Sequence, residues 1–539
     1  MKQFFSRSVP FHNSNDTTNA GAVNPRCLIS SEKCTIETGA ENPPREEDIK
    51  NSPAGCPDRN INERSPGYPG GKETMTKIPL IFRRTKTVRN LKAYMNFTFS
   101  EVLHTTLNPE GPGVIRIHLI PPRPEEDALN PSVAIINGTD IIPVNFIWAV
   151  MLAELIRETN HYDGREISEK DIQSILDRAA DNVKQILPFF VRGRISEDMQ
   201  TIYTTLRQIA YREEVTTDVH FMSIGAYEPF MQAPHRMDLM VSAMTKEGKW
   251  HCNQKCVHCY AAGQQLSDEA ELSTSEWKKV LDICRSAGIP QVTFTGGEPT
   301  MREDLPDLIR HARWFISRLN TNGIRLTPEY CKRLREADLD SVQITFYSAD
   351  PEVHNRLVGA PRYEETLAGI KNALAAGLSV SINTPLCTLN RDYEKTLELL
   401  HGLGVIYVTC SGLITTGSAA QPASEALQLE KKDLESILRR AVAYCGENGM
   451  EINFTSPGWL DGQVFEELGI PSPSCGACLS NMAVTPAGHV VPCQSWLDEK
   501  PLGNILTDSW KDIWESGTCR ARRGFSAQMT GECPLRRYC

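Results

Sequence analysis

The chain has 539 residues, 40% of them hydrophobic and 23% charged, and a net charge of −10. This is an ordinary composition for a soluble globular protein of about three domains, and the negative balance argues against a general binder of nucleic acid or anionic membrane. The 17 cysteines are odd in number and not spaced like a small secreted scaffold, so they read as thiols and cluster ligands in a reducing cytoplasm.

Residues 1–85 are rich in Asn, Pro, Ser, Thr and charge and poor in large apolar side chains. Such a segment cannot bury enough surface to offset chain entropy, so it is expected to be mostly disordered. Its Cys27, Cys34 and Cys56 read as unpaired thiols. No signal-peptide core follows Met1. The most apolar run, 141–156, is interrupted by Asn145 and Glu154 and is shorter than the ~20 residues of a spanning helix. A cytoplasmic protein without membrane attachment is expected.

From 110 to about 200 the pattern predicts a small α+β domain. Residues 114–120 alternate as a strand does, and 132–139 read as a strand running into an Asn-Gly turn. Helical spacing follows over 146–159 and 168–187, with Ser168 as N-cap. From 235 to 455 the texture changes to alternating strands and helices. Strands are predicted at 237–244, 291–295, 318–320, 341–347, 379–384 and 406–410. Helices are predicted between them, among them 274–286, 328–337, 363–376 and 392–402. Alternation of this kind implies an α/β fold with a parallel sheet and a cleft at the carboxyl ends of its strands. Six units fall short of a closed eight-unit barrel.

The loop after the first of these strands carries Cys252-x3-Cys256-x2-Cys259. A 4Fe–4S cube is normally held by four cysteines. Three on one loop leave an iron open for a substrate or cofactor, and the spacing fits zinc, which favours ligands in pairs, poorly. Tyr260 follows directly, and Gly296-Gly297-Glu298-Pro299 ends the second strand. These residues resemble the radical S-adenosylmethionine (SAM) superfamily. The resemblance implies an open six-unit partial barrel and a 4Fe–4S cluster on Cys252, Cys256 and Cys259 whose open iron chelates SAM. It also implies reductive cleavage of SAM to a 5′-deoxyadenosyl radical, with the electron drawn from a donor such as flavodoxin or ferredoxin. By the same resemblance Gly296, Gly297 and Glu298 meet the amino end of SAM, Asn322 in Asn320-Thr321-Asn322-Gly323 faces it, and Ser348 and Asn383 are candidates for its ribose or carboxylate. His354 reads as structural. Cys410 is placed at a strand end facing the cleft, as a radical relay or, by preference, a buried spectator. No catalytic residue is assigned.

Beyond 470 cysteines crowd the chain. Cys475, Cys478 and Gly488-x4-Cys493, then Cys533-x5-Cys539, resemble the SPASM extension, which implies at least one auxiliary 4Fe–4S cluster on Cys475, Cys478, Cys493, Cys533 and Cys539. Thr530 stands where that pattern has a cysteine. Cys519 also lies in this stretch, outside the pattern. The α+β region resembles the small peptide-binding module known from pyrroloquinoline quinone biosynthesis, which adds a leader peptide to a sheet edge. Together these imply an enzyme that modifies a ribosomally made peptide by crosslinking, epimerising or oxidising it. The alternatives are action on a small molecule of cofactor synthesis and a non-catalytic iron–sulfur electron carrier or regulator; a SAM motif has no use in the last.

Overall fold

The computed structural model describes Tyr94 and residues 101–107, 115–121, 132–162, 167–211 and 213–535. The disorder expected over 1–85, the thiols Cys27, Cys34 and Cys56, and Cys539 all lie outside the described residues. The described residues belong to one compact unit.

Four strands open it: β1 Leu103–Leu107, β2 Ile115–Ile120, β3 Ser132–Ile136 and β4 Asp140–Val144, an antiparallel meander in chain order. Two were expected. β1 and β4 are five residues each, and β4 hides in the apolar run that continues as helix, so neither shows a strand's period alone. The turn between β3 and β4 puts Asn137 and Gly138 at φ 49° and 70°, as a tight hairpin of right-handed twist requires. Helices Phe146–Asn160, Glu169–Ile186 and Arg192–Ala210 follow. Ser168 caps the second, trading bonds with Asp171 in a capping box. The third helix was not anticipated. Both faces of the sheet are buried. Ile117, Leu119, Ala134 and Ile136 pack with the three helices, and Ile120, Val133, Ile135 and Ile141 join the apolar core of the larger sheet. That two-sided burial explains why β2 and β3 are buried at every residue.

The larger sheet begins with β5 Arg236–Ser242. A small hairpin follows, β6 Thr245–Lys246 and β7 Lys249–Trp250, then β8 Gln291–Gly296, β9 Ile316–Thr321, β10 Ser341–Thr345, β11 Ser379–Pro385, β12 Tyr407–Ser411 and β13 Glu451–Phe454. All but the hairpin run parallel in the order β13-β12-β11-β10-β9-β8-β5. The six predicted strands form, and β13 adds a seventh whose four residues carry too little periodicity to be read. Beyond β5 the sheet continues with β14 Asn481–Val484, parallel to β5, then the antiparallel β15 His489–Val491 and β16 Gly503–Asn504. The sheet is open, a partial barrel flanked by helices such as Thr274–Ser286, Pro328–Glu336, Tyr363–Ala375 and Tyr393–Gly402.

Its two faces differ chemically. Val292, Phe294, Leu319, Val342, Ile344, Ile382 and Val408 pack into the core beneath the helices. The alternate residues Thr293, Thr295, Arg318, Asn320, Gln343, Thr345 and Asn383 line a cavity. Parallel sheets are usually apolar on both faces, so the polar inner face marks where a ligand sits. The small sheet meets the other end of these strands. Arg116 pairs with Asp340, just before β10, at 3.0 Å with both side chains buried. His118 bonds the carbonyl of Trp314 at 2.9 Å, and the Gly138 carbonyl takes His235 and Gln291. These contacts lie at the amino ends of the strands.

Among the described residues no helix is long and apolar enough to cross a membrane.

Candidate functional site

The cavity measures about 290 Å³. It is walled by the loop that follows β7 and by the carboxyl ends of the parallel strands. Cys252, Cys256 and Cys259 all line it, half-buried. The loop is held mainly through its backbone. Lys255 and Val257 donate to the carbonyls of Val358 and Leu357 at 3.1 and 3.0 Å, and Ser418 donates to the Cys259 carbonyl at 2.9 Å. Trp250 Nε1 closes the loop onto Gln254 O at 2.9 Å. Burial pushes the Cys252 thiol up to about 12 and raises Cys256 and Cys259 as well. Tyr347 sets its hydroxyl 4.0 Å from Cys256 Sγ. Three thiols crowded into a poorly solvated wall favour an iron centre, whose positive charge would hold them as thiolates.

Gly296 and Gly297 are needed by packing. A Cβ on Gly296, at φ 129°, would stand 2.2 Å from Ser242 O, and one on Gly297 2.7 Å from Ala243 O. Strand ends β5 and β8 could not close together with side chains there. Glu298 is 1% exposed, and its carboxylate accepts four hydrogen bonds, three of them on Oε1. Oε1 accepts Thr300 N at 3.0 Å, Thr300 Oγ1 at 2.5 Å and Thr321 Oγ1 at 2.7 Å. Oε2 accepts Asn322 N at 2.8 Å. Glu298 lines the cavity as expected, and its carboxylate also brackets the ends of β8 and β9. Burial still raises it above the usual carboxylate range, against those bonds.

Asn322 lines the cavity and donates to Asn253 Oδ1 at 2.6 Å, tying the third strand to the cysteine loop. Asn383 lines it too, its amide oxygen accepting Thr409 Oγ1 at 2.9 Å. Ser348 is not brought there: its hydroxyl accepts the Asp350 N–H at 3.0 Å and helps start a helix. Cys410 does not face the cleft either, and is the buried spectator preferred for it. Strand alternation sends Ser411 to the cavity and Cys410 into the apolar core on the opposite face. His354 sits buried among Phe346, Tyr347 and Tyr363, the structural role expected of it.

His258 was missed. It stands between Val257 and Cys259, lines the cavity and is 7% exposed, edge-on to Tyr347. Its aromatic place within the cysteine motif was the available signal. Neither ring nitrogen has a partner, and Asn320 Oδ1 and Gln494 Oε1 on the same walls are equally unpaired. Buried polar atoms without partners are rare in proteins. With Thr293 Oγ1, five such atoms around one cavity, beside three thiols, fit a polar ligand such as SAM next to a cluster. Deeper in, Arg236 Nε bonds Asp238 Oδ1 at 2.8 Å, and burial beside Arg236 pulls Arg318 down to about 10.

Cysteines of the C-terminal stretch gather beyond β5. The Cys475 and Cys533 thiols lie close together, as do those of Cys478 and Cys519. Cys493 lies close enough to Cys475 and Asp238 to feel their charge. Gln494, its neighbour, reaches the cavity wall, so the two regions abut. Cys519, left out of the expected ligand set, belongs to this group. Among the described residues no three His, Cys, Asp or Glu close on a point as ligands of one ion do.

Comparison with known proteins agrees with this layout. Residues 251–400 match the radical SAM superfamily, and 475–539 match SPASM, an iron–sulfur cluster-binding domain. PqqA peptide cyclase of Streptomyces rochei is 29% identical over 300 residues, 53% of this chain and 79% of its own. An AdoMet-dependent heme synthase of Methanosarcina barkeri is 29% identical over 305 residues, 53% of this chain and 86% of its own. The fold resembles the crystal structure of Streptococcus suis SuiB bound to precursor peptide SuiA. That match has a TM-score of 0.51 at 13% identity and covers 76% of this chain and 93% of that one.

Proposed function

Because the chain is a radical SAM enzyme with a SPASM extension, we propose that it modifies a peptide. The observation that carries this is the four-stranded antiparallel sheet seated against the amino ends of the barrel strands. Such a sheet offers edge strands, to which an extended peptide can add by backbone hydrogen bonds. The cavity supports the same reading. At about 290 Å³ it is at the small end for a drug-sized ligand. A space of that size admits one inserted side chain more readily than a macrocycle. Similarity to a peptide cyclase and the fold shared with a precursor-peptide complex point the same way; similarity to a heme synthase supplies the competing reading of a small-molecule substrate.

Cys252, Cys256 and Cys259 are the residues that would hold the 4Fe–4S cluster. With cluster and SAM bound, the chemistry supplied is one-electron cleavage of SAM to a 5′-deoxyadenosyl radical that takes hydrogen from substrate. The protein's part is placement. Gly296 and Gly297 bring backbone close to the ligand, and Glu298 fixes the ends of two strands. Asn322 and Asn383 present oriented amides, and His258, Asn320 and Gln494 offer unpaired polar atoms. A narrow, walled cavity excludes water from a reactive species. Cys475, Cys478, Cys493, Cys533 and Cys539 would serve the auxiliary centre.

The test is co-expression with short open reading frames adjacent to the gene, followed by mass spectrometry. The expected result is a mass change in one such peptide that disappears when Cys252, Cys256 and Cys259 are replaced by Ala. A mass change confined to a small-molecule substrate, with every peptide unaltered, overturns the peptide reading.

A further inference from the structure

The cavity has a cationic floor. Reading across the sheet at one level, Asp238 of β5 stands beside Thr293 of β8, Thr293 beside Arg318 of β9, and Arg318 beside Ser341 of β10. Thr293 and Arg318 line the cavity, as does Arg236. We propose that Arg318 and Thr293 bind a carboxylate of the substrate, which on the peptide reading is the side chain of an Asp or Glu. The proposal rests on that reading and goes beyond it by naming the kind of residue the cavity selects.

The first support is charge. Arg236 Nε holds Asp238 Oδ1 at 2.8 Å, which makes that pair neutral. Arg318 adds a second guanidinium to the same wall, and the charges that act on it are Arg236 and Asp238. Glu451, on a smaller pocket that Arg318 also lines, is not among them. Glu298, at the other end of the cavity, accepts from Thr300, Thr321 and Asn322. Burial and Arg236 pull Arg318 down to about 10, which still leaves it a cation at neutral pH. A carboxylate set against its planar fork would offset both effects, in two parallel hydrogen bonds.

The second support is an unsatisfied donor. Thr293 is 1% exposed, and its hydroxyl has no partner. A hydroxyl can donate, and a carboxylate only accepts. Thr293 and Arg318 thus present donors to one place from adjacent strands.

Depth is the third. Arg318 stands four residues before Asn322, about 13 Å down the strand at ~3.3 Å each. SAM held at the thiol end by its own carboxylate cannot also place that group here. An acidic side chain anchored at the floor would present its carbons to the space between.

The experiment uses the full chain, reconstituted anaerobically, with N-acetylglutamic acid amide and its neutral analogue N-acetylglutamine amide as probes. Their binding is read by saturation-transfer nuclear magnetic resonance. The Glu probe is expected to bind roughly tenfold more tightly than the Gln probe and to lose about that factor in Arg318→Gln, as loss of a charged hydrogen bond implies. Arg318→Lys keeps the charge but not the fork, so the preference is expected to persist at lower affinity. Thr293→Val keeps the side chain's shape and is expected to weaken the Glu probe. Iron content and melting temperature report folding; if Arg318→Gln does not fold, the two probes on the unaltered protein and on Thr293→Val still decide. Equal affinity of the two probes for the unaltered protein overturns the proposal, as does a Glu preference that survives intact in Arg318→Gln. A loss of SAM affinity in Arg318→Gln would assign the floor to SAM and overturn it too. Preference for the Glu probe with no peptide altered on co-expression keeps the carboxylate site and overturns the peptide reading alone, the carboxylate then belonging to a small molecule.

Discussion

Four donors converge on the Glu298 carboxylate, which makes this residue a joint between two strand ends. In Glu298→Gln one of the two oxygens becomes an NH₂ group facing N–H or O–H donors. Leaving such groups unsatisfied costs about 1–3 kcal/mol each. SAM affinity is expected to fall roughly 10- to 100-fold, at ~1.4 kcal/mol per decade, with iron content unchanged because no thiol is disturbed. Titration of the reconstituted protein with SAM checks this, and equal affinity in the variant would remove Glu298 from the site. The Gly-Gly-Glu run was legible in the sequence because its residue types are rare together at a strand end. What they do was less legible. The glycines answer a carbonyl 2.2 Å from a would-be Cβ, and the carboxylate answers donors more than twenty residues away in Thr321 and Asn322, neither of which leaves a trace in local spacing. Ser348 shows the converse. It sits in a strand-end context that suggests a ligand contact, yet the nearest N–H, that of Asp350, takes its hydroxyl.

At the scale of elements, the cysteine loop depends on segments far along the chain. Gly359 ends the helix Pro351–Val358 at φ 70°, and a Cβ there would stand 2.3 Å from Lys255 O. Gly417, at φ 59°, would bring one equally close to Tyr260 O. Each glycine lets a loop press on the cysteine loop from outside. Gly359→Ala is expected to displace the loop backbone between Cys252 and Cys256 and to lower iron occupancy at the first cluster, while iron at the C-terminal cysteines stays. Iron counts before and after removal of the first cysteine set separate the two contributions; undiminished iron at the first set would show the loop to be self-supporting. Six strands and their helices could be read because each is long enough to show its period against Gly, Pro and Asn punctuation. The strands that escaped are short, and β4 runs on into a helix while β13 has only four residues. Their identity is conferred by neighbours, β3 and β12, and tertiary pairing of that kind leaves little periodic signal.

At the scale of the whole molecule, the small sheet and the cavity occupy opposite ends of the same strands, and the seam between sheet and barrel is acid-sensitive. Burial pulls His118 down to about 3 and His235 to about 4, so both fold neutral. An unfolded histidine takes its proton near 6.5. Between pH 6.5 and 4 the unfolded state thus binds more protons, and stability falls as pH falls, with no contribution from these groups above about 7. Melting temperature is expected to drop from pH 7 to 5, and less steeply in His118→Gln, which keeps a donor for the Trp314 carbonyl. An unchanged slope would mean that His118 does not titrate across unfolding. The same separation of sheet and cavity sets a length for the substrate. Strand β5 has seven residues, about 20 Å at ~3.3 Å each. An extended peptide covers at most ~3.6 Å per residue. A peptide held at the small sheet therefore needs about six residues or more between its docked segment and the residue that enters the cavity. Shortening that spacer below about six is expected to abolish modification, measured by mass spectrometry, and to leave binding, measured by fluorescence anisotropy, nearly unchanged. Modification that persists with a two-residue spacer would place the docked segment at the cavity mouth and take the small sheet out of recognition.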